Sequence, residues 1–234
     1  MIGNKIYKQV FWFNIISYTG VAIGVISTVF IYPHNKEFLG IVRYVDSLAQ
    51  LLFPLILFGG GQALVHFYPT LDEYNRPQLF KYSIASILVI SFVLLSILLL
   101  GTTFSQWNHY YYFFYAFPIA SVLAFVELFK RQAIHIDKIE IPALYEKIIP
   151  KIALPTIFGL LIFGYLNIDS ALLAFVISYF ILFVLLLFYI LKHFKLKWGF
   201  KFKSLFSEVH KKEYYKYSFF SFLGSFGSIL AFRI

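Results

Sequence analysis

Six histidines (His34, His66, His109, His135, His193 and His210) are the side chains best suited to metal ligation or proton transfer near neutral pH. None stands at His-x-x-x-His spacing with another, so no two-histidine metal or hydrolytic site is legible. The chain has no cysteine, which excludes disulfides, thiolate catalysis and cysteine-based metal sites. No phosphate-binding glycine loop is present. The expectation is a chain that is not an enzyme and needs no cofactor or metal. Isolated cations remain. His66 and Arg233 fall at or within apolar runs and have no obvious local partner. Cations so placed line a wet cavity or, near a membrane face, snorkel to the surface. Glu127 with Lys130 or Arg131, at i,i+3 and i,i+4, reads as a local ion pair.

A second group of residues acts on the backbone. Gly59, Gly60 and Gly61 fall inside one apolar run and weaken a helix by roughly 1 kcal/mol each relative to Ala. They read as close packing against a neighbouring helix, with a hinge as the alternative. Gly20 and Gly24 form a small-xxx-small pair suited to packing. Pro54, Pro118 and Pro155 each remove a helical hydrogen bond and predict kinks.

The elements that carry these residues follow from hydropathy. Of 234 residues, 60% are hydrophobic and 13% charged, whereas a soluble domain carries roughly a quarter charged. A helix needs about 20 apolar residues to cross a bilayer. Uncharged runs cover 10–32, 47–68, two spans within 82–126 divided by a turn at 101–109, then 152–166 and 170–191, and a last apolar run covers 217–234. The expected fold is an all-α membrane protein: a six-helix transmembrane lobe (1–191), a basic linker (192–216) and the start of a seventh helix (217–234). With the N-terminus inside, seventeen of the twenty Lys and Arg fall in inside segments. That asymmetry predicts a cytoplasmic N-terminus. The net charge of +9 is therefore assigned to topology and membrane lipid rather than nucleic acid. The basic and aromatic stretch from Lys195 to Lys203 is read as a lipid-facing surface segment, and Trp107 and Trp198 as interfacial anchors.

The last run is still apolar at Ile234. Tyr7-Lys8 and Tyr215-Lys216, Phe11 and Phe219, and Ser17 and Ser225 share an offset of 208. The expectation is a first half followed by a second, missing lobe of the same chain.

Residues 16–69 also carry Ser17 and Tyr18, Gly20 and Gly24, Phe38-Leu39-Gly40, Leu51-Leu52-Phe53-Pro54, Gly59 to Gly61, Ala63 and Tyr68-Pro69. This stretch resembles the N-terminal region of the polysaccharide (O-antigen type) flippases of the multidrug/oligosaccharidyl-lipid/polysaccharide exporter superfamily. The resemblance implies two six-helix lobes in the bacterial inner membrane, around a cationic cavity that opens alternately to each side. Its implied cargo is undecaprenyl-pyrophosphate-linked oligosaccharide, with Arg43, His66 and Arg233 as candidates to line the cavity. The drug-exporting branch of the superfamily is the alternative, although its first span often holds an acid and 10–32 has none. A non-transporting membrane scaffold is the third reading.

Overall fold

In the computed structural model the described residues are 2–104, 110–135, 140–194 and 202–233. They are helical almost throughout, with no strand among them. The order is α1 (Ile2–Ile26), α2 (Lys36–Leu57), α3 (Gly60–Phe67), α4 (Asn75–Phe104), α5 (Tyr111–His135), α6 (Glu140–Ile162), α7 (Ile168–His193), α8 (Phe202–Glu208) and α9 (Lys211–Arg233). Several starts are fixed by local capping, in which a short side chain accepts from an otherwise orphaned amide. Asn35 accepts from the Phe38 amide at 2.9 Å, Asp72 from Asn75 at 2.7 Å and Asn167 from Ser170 at 2.8 Å.

Four helices are long and apolar enough to cross a membrane: Lys36–Leu57, 75–101, Tyr111–His135 and Ile168–His193. Their outward surfaces carry large apolar groups. Phe92 of α4 is 71% exposed and Phe180 of α7 58%. Water is a poor solvent for such a surface, and a bilayer is a good one.

α5 is the hub, with α2, α4 and α7 packed around it. The side chains of Phe38, Phe80, Phe129 and Phe158 are fully enclosed. Ring contacts fix the helix directions. At one end Tyr68, just past α3, stacks on His135 of α5 at 4.0 Å, and Phe80 of α4 meets Phe194, just past α7, at 5.4 Å. At the other end Tyr44 of α2 meets Tyr112 of α5 at 5.6 Å, and Phe158 of α6 lies between Tyr32 and Phe38 at 4.7 and 4.8 Å. Thus α1, α4, α6 and α9 run one way, and α2, α3, α5 and α7 the other. Arg76, Lys81, Lys130, Arg131 and Lys192 share the end where α4 begins and α5 and α7 finish.

Three boundaries differ from the sequence expectation. The run 47–68 is two helices, because Phe58 and Gly59 are left-handed at φ +43° and +70°. The fifth run, expected at 152–166, begins at Glu140, because Glu146 and Lys147 find polar partners on α5 and α1 instead of lying in a loop. The linker at 192–216 is shorter than expected: α7 continues to His193, α8 occupies 202–208, and α9 starts at Lys211. The Lys195 to Lys201 stretch, Trp107 and Trp198 lie outside the described residues.

Candidate functional site

A concentration of polar chemistry crosses from α5 to α6 and on to α1. Glu127, Lys130 and Arg131 lie on one face of α5 by helical spacing. The Lys130 ammonium stands 2.9 Å from Glu127 and 2.9 Å from Glu146 of α6. Arg131 holds the other Glu127 oxygen at 2.6 Å. The expected local pairing of Glu127 is present with both cations, and Glu146 extends it to a second helix. The next residue, Lys147, donates to the Ser17 hydroxyl of α1 at 2.8 Å. One turn further, Lys151 lies along Gly20, its Nζ 3.1 Å from where a Cβ would stand. A larger residue at position 20 would displace that lysine. Gly24, by contrast, faces open space.

This belt holds Lys130, Arg131, Lys147 and Lys151 against Glu127 and Glu146, a net of +2 from four cations and two carboxylates. Lys151 has no ion pair among the described residues. It sits eleven residues into α6, about 16 Å along the axis. Pro150 and Pro155 also lie in α6. Each deprives the carbonyl four residues earlier of its helical donor, namely Glu146 and Lys151. Ammonium groups and underbonded carbonyls therefore alternate along one segment.

The second feature is the break between α2 and α3. Pro54 is buried and its carbonyl accepts from Phe58 at 2.8 Å, closing α2. A Cβ on Gly59 would collide with the Ser218 carbonyl of α9, so the backbones meet directly there. Phe58 stacks on Phe222 at 5.4 Å and 22°. Gly60 has nothing within 4 Å, while Gly61 packs on Arg131 and Glu127 of the belt. Gly59 thus sits at the break between α2 and α3 and at a close approach to α9. Below the break, His66 stacks on Tyr217 of α9 at 4.3 Å and 10°. A cavity of about 500 Å³ opens beside them, lined by His66, Phe67, Glu213, Lys216, Tyr217 and Phe220 among others.

The start of α4 is tied to the α8–α9 elbow. Glu208 accepts from the Asn75 side chain and from the Asp72 amide, and Ser204 donates to Asn75 at 3.1 Å. Tyr82 contacts Tyr215 through its hydroxyl, with Phe202 and Phe206 edge-on to its ring. The short helix is therefore docked on protein.

The cations singled out by sequence are not brought together. Arg43 is exposed, 23 residues and about 35 Å of helical path before His66. Arg233 ends α9, and its side chain lies outside the described residues. Of the three, His66 lines the cavity. Pro118 lies in α5 and Pro155 in α6, as Pro54 does in α2. No family model, curated protein or solved structure matches this chain. The residues that sequence reasoning missed are Lys147 and Lys151, counted as loop lysines. Their i,i+4 spacing was the signal, together with Glu140 and Pro142 as a helix start. No group of three or more His, Asp or Glu suited to a metal occurs among the described residues.

Proposed function

We propose that this chain belongs to a transporter that moves a lipid-linked, pyrophosphate-bearing oligosaccharide across the bacterial cytoplasmic membrane by alternating access. The observation that carries the reading is the net-positive belt running from α5 through α6 to α1. An anion leaving water for a helix bundle needs fixed positive charge, because desolvation otherwise opposes entry. Lys147 and Lys151 supply that charge on a face shared with α1, and the resemblance of 16–69 to polysaccharide flippases names a matching cargo. The drug-exporter alternative is disfavoured by α1, which contains no Asp or Glu.

The test is deletion of the full-length gene, followed by complementation with wild type, Lys147→Gln and Lys151→Gln. The expected result is loss of one surface glycan, accumulation of its lipid-linked precursor on the inner leaflet, and incomplete rescue by either lysine variant. Unchanged glycans with altered drug tolerance would favour the drug exporter, and no change in either would favour a scaffold.

A further inference from the structure

Glu213 and Lys216 lie three residues apart on α9 and both line the cavity beside α3. At that spacing an acid and a base on an exposed helix face commonly pair. Here neither makes an ion pair among the described residues, with each other or with another group. The cavity therefore presents one carboxylate and one ammonium, their Cβ atoms about 5–6 Å apart. The rest of its wall is aromatic apart from Ser221. Phe67 and Phe220 offer apolar surface, and the stacked pair of His66 and Tyr217 closes one side with a ring nitrogen and a phenol.

We propose that this cavity binds the headgroup of a zwitterionic phospholipid bearing a primary amine, a phosphoethanolamine lipid. The headgroup carries its phosphate and ammonium two carbons apart. Lys216, with the His66 imidazole beside it, faces the phosphate, and Glu213 accepts from the ammonium. The acyl chains run along Phe67 and Phe220. A purely anionic headgroup fits less well, since it would set its phosphate against the Glu213 carboxylate with no amine to offset it. The location agrees, because aromatic rings mixed with lysines at a helix end mark the headgroup level of a bilayer. The cargo of the transporter does not enter this argument, and the site would place a resident lipid where α9 leans on α3.

The test is lipid retention by the detergent-purified full chain, read by native mass spectrometry. The probes are short-chain phosphatidylethanolamine, phosphatidylglycerol and phosphatidylcholine, with free phosphoethanolamine as competitor. Wild type should retain the ethanolamine lipid over the other two by roughly fivefold, the scale of one partly exposed ion pair. Glu213→Gln should abolish the preference over phosphatidylglycerol, and Lys216→Gln should lower retention of all three lipids. Both side chains are exposed, so neither variant threatens the fold. Equal retention of the three lipids by wild type, or a preference that survives Glu213→Gln, would overturn the proposal. So would displacement by free phosphoethanolamine as effective as by the lipid, which would make the ligand a soluble one. The readout is binding, so failure of glycan export in cells leaves it intact, and its own failure leaves export untouched.

Discussion

Two adjacent glycines make opposite demands. Gly59 has φ +70° and no room for a Cβ beside the Ser218 carbonyl. Gly59→Ala should therefore destabilise by at least about 3 kcal/mol, from left-handed strain plus the collision of two backbones. Gly60 has helical surroundings and nothing within 4 Å. Gly60→Ala should be neutral, or stabilising by up to about 1 kcal/mol, because it lowers the entropy of the unfolded chain. Thermal unfolding of the two variants in the same detergent checks the pair, and equal shifts would contradict the direct approach of α9. A similar asymmetry holds in the belt. Glu127 serves two cations with its side chain 18% exposed, whereas Glu146 serves one and is 33% exposed. Glu127→Gln should destabilise by about 1–3 kcal/mol and Glu146→Gln by less, since unpaired charge is most unfavourable where it is least hydrated. Sequence showed the Glu127 pairing by spacing alone. It could not show Glu146 as the fourth member, which lies on another helix.

At the scale of elements, α6 separates what hydropathy can read from what it cannot. An uncharged-run criterion cuts this helix at Ile152, because Glu146, Lys147 and Lys151 look like loop residues. The helix nevertheless begins at Glu140, since those charges meet Lys130, Ser17 and Gly20 on neighbouring helices. The absence of native cysteine allows a direct check. A single cysteine at Ala143, which is 7% exposed, should resist a membrane-impermeant maleimide in the folded protein, while one at Lys211, exposed at the start of α9, should react. Rapid labelling at both positions would return 140–151 to a loop. The α2–α3 break was half legible for a related reason. Three glycines announce a weak point, but a left-handed phenylalanine beside them is held by Phe219 and Phe222, which are 161 and 164 residues away in sequence.

At the scale of the molecule, the counting of lysines and the packing of rings are independent and arrive at one arrangement. The sequence places its positive charge in alternate loops, whichever loops are neighbours. In the structure, Arg76 sits over the Tyr68 ring at 5.7 Å, Tyr68 stacks on His135, and Glu208 reaches Asn75. The α3–α4 turn, the end of α5 and the α8–α9 elbow are thereby gathered at a single basic end. Pro33, Thr102 and Asn167 fall at the opposite end, where Tyr110 donates back to the Leu98 carbonyl at 2.7 Å and Asn167 caps α7. The membrane should then orient the bundle by its basic end, with loops rich in Lys and Arg retained in the cytoplasm. Reporter fusions after Pro33, Thr102 and Asn167 are expected to read external, and fusions after Asn75, Asp137 and Ser204 internal. One aberrant fusion can arise from truncating a weakly inserting helix such as α6, whose charges need α5 and α1 in place. Two or more reversed signals would mean that the basic end does not face the cytoplasm as a unit.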